Sequence, residues 1–172
     1  MRELLLGCGK KHEKQVFAQG LGIEKEWQNV TKIDIDEDCK PDIVQDLNNI
    51  PLPFDDNTFD EVHAYEVLEH LGTQGDWKFF FDQFAEFHRV MKDGAYFCGT
   101  VPAWDSAWAW GDPGHTRIIN EGTLVFLCQR EYEMQVSKTS MTDYRFYWKK
   151  NFELIANKYE DEGFAFVLKC TK

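Results

Sequence analysis

Three short groups near the start of the chain could hold a nucleotide-like ligand. Gly7-Cys8-Gly9 follows the apolar run Glu3-Leu4-Leu5-Leu6. Glycine lets the backbone turn sharply and lets a ligand approach the main chain. Asp34 ends a second apolar-rich stretch, where a carboxylate can accept both hydroxyls of a ribose. Asp46-Leu47 ends a third, where a carboxylate can accept a hydrogen bond from an adenine amino group. Singly, each signal is weak. GxG occurs in many strand–helix turns, and the neighbouring Asp36, Glu37 and Asp38 read as a solvated turn.

A second set of residues has the chemistry to handle an acceptor. His115 lies in Asp112-Pro113-Gly114-His115-Thr116-Arg117 and is the first candidate to orient or deprotonate one; His70 is the second. The competing reading of each is a structural hydrogen bond, for His115 a loop-fixing bond to Asp112. Trp104, Trp108 and Trp110 could stack on a planar or apolar acceptor or clamp a sugar ring, with Arg117 closing the same loop. Alternatively the loop is a lid on the core or a dimer contact. His63, Glu66 and His70 would stack at three- and four-residue steps on one helix and could then bind a metal. His63 falls in a strand feeding a turn, so no metal site is expected there.

The elements around these residues alternate. Strands are expected at Glu3–Leu6, Asn29–Ile35, Asp42–Leu47, Phe59–Tyr65 and Tyr96–Val101. A short helix or an irregular segment follows the first strand through Phe17. Only Asp36–Pro41 separates strands two and three, too few residues for the usual crossover helix. The spacing of Trp77, Phe80, Phe81, Phe84, Phe87, Val90 and Met91 predicts a helix over 77–91, closed by Asp93-Gly94. Asn120 can cap a short helix reaching Cys128. Phe152–Lys158 and Phe164–Cys170 flank Glu160-Asp161-Glu162-Gly163 as an antiparallel hairpin. This order predicts an α/β, three-layer, mostly parallel sheet that binds ligands at its strand carboxyl ends.

Bulk properties narrow the partners. The 172 residues fit a single domain, 1–172, large enough to fold without disulfides or a metal. The formal charge of −11 disfavours nucleic acid, with Lys138, Arg145, Lys149 and Lys150 the only candidate basic patch. The five cysteines are odd in number and widely spaced, as in reduced thiols of a cytoplasmic protein. No apolar run approaches a membrane span, and no signal peptide is expected at the start.

Taken together, the three ligand signals resemble those of class I S-adenosylmethionine-dependent methyltransferases. The resemblance is to the methyltransferase type 11-like branch, carried by PLPFDDNTFDEV, EVLEHL and FHRVMKDG, and it spans roughly residues 3–127. It implies a Rossmann-like class I methyltransferase fold with S-adenosylmethionine as cofactor. It further implies that Leu6, Gly7 and Gly9 line the methionine part. Asp34 takes the ribose with Ile35 against the adenine, Asp46 and Leu47 contact the adenine edge, and Tyr65 lies under the sulfonium. Three departures stand out. Lys11 replaces a further glycine, the helix between strands two and three is reduced, and elements preceding the first strand are missing. An opened cofactor side would call for a partner subunit, giving a homodimer.

The expected reaction is transfer of a methyl group by in-line displacement to a small-molecule or sugar-like acceptor. The alternative is a cofactor-binding protein without catalysis that acts through protein interaction. A nicotinamide dehydrogenase is disfavoured, because Lys10, Lys11 and His12 follow Gly9 where GxGxxG needs a third glycine.

Overall fold

In the computed structural model, which describes residues 1–172, the apolar run after Arg2 forms β1 (Glu3–Leu6), buried at all four positions. The strands that follow are β2 (Val30–Asp34), β3 (Ile43–Val44), β4 (Phe59–Tyr65), β5 (Met91–Pro102), β6 (Asn151–Glu160) and β7 (Gly163–Thr171). They build one sheet in the order β3-β2-β1-β4-β5-β7-β6. The first five run parallel, while β7 pairs antiparallel with both β5 and β6. Leu6 pairs with both Ile33 and Ala64, so the chain leaves β1, β2 and β4 along one edge.

Alternation along the strands sorts the two faces. Leu4, Leu6, Ile33, Val62, Ala64 and Phe97 point into the main core. Helix α1 (Trp77–Val90) covers them with Phe81, Phe84, Phe87 and Val90. Each such ring contributes roughly 1.5–3 kcal/mol on burial. Asp76 caps α1 by accepting from the Phe79 amide at 3.1 Å.

The opposite face carries Glu3, Leu5, Glu61, His63, Tyr65 and Cys98. The segment after β1 settles as the irregular alternative, with one 3-10 turn at Gln19–Leu21, and forms the third layer. An apolar helix there would strand two buried carboxylates. Lys14 answers both instead, donating to Glu3 at 2.8 Å and Glu61 at 2.6 Å. Burial opposes the Lys14 charge, but its bonds to Glu3 and Glu61 outweigh that and raise its pKa. Trp27 packs edge-on to His63, and Lys14 lies over its ring.

Several boundaries move. The third strand shrinks from the expected 42–47 to Ile43–Val44, because Asp46 and Asn48 turn the chain. The helix ends at Val90, and β5 starts at once at Met91. Asp93-Gly94 therefore does not close the helix but lies in a bulge of β5, where pairing jumps from Phe59–Met91 to Glu61–Tyr96. Gly94 takes φ +77° there. Two short helices were not expected, α2 (Ala107–Gly111) and α4 (Gln129–Gln135). Between them, Asn120 caps α3 (Glu121–Leu124) by accepting from the Thr123 amide.

Candidate active site

The ligand-binding edge begins at the β1 turn. Gly7 and Gly9 both take positive φ, at +58° and +52°. A Cβ on Gly7 would collide with Val67, so this glycine lets the β1 turn touch the segment after β4. Beside Gly9 the space is open, so a ligand can reach its main chain. Asp34 clamps the arrangement: one oxygen accepts from the Gly9 amide at 2.8 Å, the other from the Asp36 amide at 2.9 Å. Each carboxylate oxygen keeps a further lone pair that can accept from another donor. Asp36 is committed to its own turn, accepting from the Asp38 amide and the Cys39 thiol.

The missing glycine at Lys11 is explained by the absence of a helix after β1, since no helix start packs close to the sheet. His12 does the stitching instead, with Nε2 at 3.0 Å from the carbonyls of both Gly9 and Cys39. Cys8 is inert in this turn: burial, then the Asp34 charge, pushes its thiol up to about 11.

The other cofactor candidates divide by side chain. Ile35 is 66% exposed, an apolar platform beside Asp34. Leu6 and Leu47 are buried in the main core, so they offer the edge only their backbone. Asp46 is held in an Asx turn with Asn48, whose own Oδ1 accepts from the Gly72 amide at 2.9 Å. Tyr65 turns toward the irregular layer: its hydroxyl is 2.6 Å from His63 Nδ1 and accepts from the Val16 amide. Its ring packs with Leu5 and Cys8, and burial raises its pKa.

The segment that carries the candidate acceptor residues begins one residue beyond Val67. Leu68–His70 forms a 3-10 turn, so His70 does not open α1. The loop after β5 is bound onto this turn. The amides of Thr116 and Arg117 donate to the Glu69 carbonyl, and Arg117 Nε donates to the Leu68 carbonyl at 2.7 Å. Arg117 also donates to Gln83. Its guanidinium is a buried strut rather than an exposed substrate contact, and burial lowers its pKa to about 10.

This stitching brings the two candidate histidines together, with ring centroids 4.6 Å apart. His70 Nδ1 lies 3.0 Å from the Gly114 carbonyl and His115 Nδ1 lies 2.9 Å from the Trp108 carbonyl. A carbonyl only accepts, so each Nδ1 carries a proton and Nε2 is the nitrogen each ring leaves without a hydrogen-bond partner. The expected loop-fixing His115–Asp112 bond forms through the backbone, the His115 amide donating to the Asp112 carbonyl at 3.1 Å; the side chains stay apart, with Asp112 Oδ2 3.9 Å from His115 Nε2 and Asp112 Oδ1 accepting from the Gly114 amide.

Glu69 was not singled out from the sequence. Both its carboxylate oxygens are buried without a hydrogen-bond partner. Burial pushes its carboxyl up to about 8. The available signal was Glu69-His70 adjacency together with a later histidine. His63 points to the other face, bonded to Glu61 at 2.8 Å, so the set His63, Glu66 and His70 does not assemble.

The tryptophans flank this edge. Ser106 caps α2, which presents Trp108 and Trp110, 60% and 73% exposed. The Trp108 indole donates to Glu162 and that of Trp110 to the Trp104 carbonyl, fixing the rings while their faces stay open. Two cavities lie away from these tryptophans and the histidine pair. One of about 310 Å³ is lined by Gln15, Glu66, Thr100, Lys158 and Glu160. One of about 290 Å³ lies at the start of α1, between Trp77, Phe80, Phe126, Tyr144 and Arg117.

A sheet of this order, with a glycine turn after β1 and a carboxylate ending β2, defines a class I Rossmann-like cofactor-binding domain. The sequence model of the methyltransferase domain family matches residues 4–99. The chain belongs to that family, so methyl transfer is its chemistry and S-adenosylmethionine its methyl donor. No curated protein matches it. Among solved structures, it is similar to a SAM-dependent methyltransferase from Archaeoglobus fulgidus, at 18% identity and a TM-score of 0.60, covering 98% of this chain and 85% of that one. One from Methanosarcina mazei is 18% identical with a TM-score of 0.59, over 99% and 92% of the two chains. One from Clostridium acetobutylicum is 10% identical with a TM-score of 0.60, over 99% and 84%.

Proposed function

We propose that residues 1–172 act as one domain that methylates a small-molecule or sugar-like acceptor held against His70 and His115. The observation that carries this is the pairing of the two histidines 4.6 Å apart, with both Nε2 atoms free, one turn beyond the residue that packs on Gly7. The cofactor edge and the histidine edge therefore adjoin.

When bound, S-adenosylmethionine supplies a methyl group activated by its positive sulfur. The residues present fit it: Gly9 leaves its backbone open, Asp34 can accept from the ribose, and Ile35 offers an exposed apolar face. Leu6, Gly7, Asp46 and Leu47 contribute backbone or a polar edge around it, and Tyr65, buried under the β1 turn with Leu5 and Cys8, supports that edge from below. The chain's own task is alignment, since orientation alone can supply roughly 7–11 kcal/mol of a barrier. His70 and His115 hold the reacting end of the acceptor. Trp104, Trp108 and Trp110 cover its apolar body, and Arg117 fixes the loop that carries His115.

The net charge of −11 favours a small acceptor over nucleic acid. All five cysteines are buried and unpaired, which suits a cytoplasmic setting, and no helix is long and apolar enough to cross a membrane. The test is methyl transfer from labelled S-adenosylmethionine to a panel of sugars, phenols and small amines. His115→Ala should lower turnover on the responding acceptor by about 10²–10⁴-fold, the scale of a positioned acid–base or orienting group. Affinity for S-adenosylhomocysteine, read by calorimetry, should hold. Wild-type turnover in the folded variant would remove His115 from the acceptor site.

A further inference from the structure

We propose that Glu69, His70 and His115 form a binding site for a divalent first-row transition cation, of the Mn²⁺, Fe²⁺, Co²⁺ or Zn²⁺ kind. One donor atom from each lies within 4.8 Å of the others. The two ends of the site come from different segments, the turn after β4 and the loop after β5. Backbone bonds from Thr116 and Arg117 to the Glu69 carbonyl tie those segments together.

Three independent features point to a cation rather than to a hydrogen-bonded cluster. First, both imidazoles are set up as ligands. Each spends Nδ1–H on a backbone carbonyl, of Gly114 or Trp108, which fixes the tautomer and leaves Nε2 as the free donor. This is the outer-shell arrangement that metal-binding histidines use. Second, Glu69 is 3% exposed, and neither of its oxygens has a partner. A buried carboxyl group with no hydrogen-bond partner is costly whether charged or neutral. Third, the spacing is wrong for hydrogen bonds. His115 Nε2 is 4.0 Å from Glu69 Oε1 and 3.9 Å from Asp112 Oδ2. Donors on a common ion with bonds of about 2.1 Å sit roughly 3–4 Å apart, so a side-chain shift of about 1 Å closes the widest gap.

The donor set selects the ion. Two imidazoles and one carboxylate suit borderline transition cations better than Mg²⁺ or Ca²⁺, which take mainly oxygen. Asp112 Oδ2 is available as a fourth ligand. His70 is exposed, so the remaining positions open toward solvent and an incoming ligand. Such an ion would give the acceptor of the proposed reaction an oxygen-binding point, which rests on that reading; the cation site itself does not.

Binding is therefore tested without cofactor or acceptor. Untagged protein stripped with chelator is titrated with Co²⁺ and followed by visible d–d absorption, then with Mn²⁺ by electron paramagnetic resonance. One equivalent should bind, with the Co²⁺ bands of nitrogen–oxygen coordination. Glu69→Gln, nearly the same in shape, and His70→Ala, at an exposed position, should each weaken binding by at least about 10–100-fold, the scale even for outer-shell losses. No binding of either ion at 1 mM overturns the site, as does equal affinity in both folded variants. S-adenosylhomocysteine calorimetry on the same samples reports separately on the methyltransferase reading.

Discussion

Asp34 carries two duties that a substitution separates. It clamps Gly9 and Asp36 through both oxygens, and in the proposed cofactor site it also accepts from the ribose. Asp34→Ala removes the clamp and the charged acceptor together, whereas Asp34→Asn keeps one acceptor oxygen. Hydrogen bonds to a charged group are each worth about 1.5–3 kcal/mol. Asp34→Ala should therefore lose S-adenosylhomocysteine binding by more than about 10-fold and unfold at lower urea. Asp34→Asn should weaken binding while losing less stability. Calorimetry and urea melts on both variants read the two effects. Equal affinity in wild type and Asp34→Ala would move the ribose site, with Asp36 next in line. Asp34 was legible because its position at a strand end is a sequence property. Arg117 was not, because its burial depends on Leu68 and Gln83, distant in sequence, turning to meet it. Glu69 was hidden for the same reason, since only the folded loop shows that nothing donates to it.

At the scale of elements, the layer after β1 is the least regular and the most dependent on one side chain. Lys14 satisfies Glu3 and Glu61, while Glu3 also accepts from the amides of Gln28 and Asn29. One lysine thus holds the middle of the segment, and one glutamate holds its return to β2. Removing one partner of a buried ion pair costs about 3–5 kcal/mol, since the other charge stays buried alone. Lys14→Met should lose that much in urea unfolding, and protection of amides in residues 10–28 should fall first in hydrogen exchange. Loss confined to a few tenths of a kcal/mol would mean that Glu61 and Glu3 find other partners. Strand β4 and helix α1 were legible almost to the residue, because a turn rich in Asp and Asn bounds the nearly fully buried strand and the Phe spacing reports the helix's buried face directly. The irregular layer has no period to read. Lys14 looks like one charge in a charged run, and its two partners lie 11 and 47 residues away.

Helix α1 also meets the end of the chain through His88, whose Nε2 is 2.9 Å from the Thr171 carbonyl. Burial lowers the His88 pKa despite that bond, and Lys172 and Lys150 push the same way against Asp93. A histidine depressed in the folded state is held neutral there and takes up its proton more readily when unfolded. Its contribution is therefore present above the unfolded value of about 6.5 and is lost as pH falls below it. His63, buried and lowered as well, acts in the same direction. Glu69, raised to about 8, acts oppositely, because the folded state prefers its protonated form. The clean comparison is a difference: His88→Gln keeps a donor for Thr171 but does not titrate. Between pH 7.5 and 5.0, wild type should lose more stability than His88→Gln in urea midpoints. Parallel losses would show that the His88 site tolerates the charge.

At the scale of the whole molecule, one exposed surface gathers three tryptophans on a chain of net charge −11. Trp104, Trp108 and Trp110 are all exposed on α2 and the loop before it, with Glu162 holding the Trp108 indole and the Trp104 carbonyl that of Trp110. Rigid aromatic faces lose little side-chain freedom on association, which is why they dominate interface cores. They also border His115, whose Nδ1 donates to the Trp108 carbonyl, so whatever covers them covers the proposed acceptor site. Two occupants fit: the acceptor itself within one protomer, or the same surface of a second copy, since a two-fold contact needs a self-complementary patch. Light scattering across a hundred-fold range of concentration separates them. A homodimer through this surface should dissociate on dilution, and Trp110→Ser, altering the most exposed ring, should shift the midpoint toward monomer without lowering stability at low concentration. The dimer should also quench or shift Trp fluorescence as it forms. A strict monomer at high concentration, with Trp110→Ser still weakening turnover on the responding acceptor, would assign the three rings to the acceptor and leave the covering to one chain.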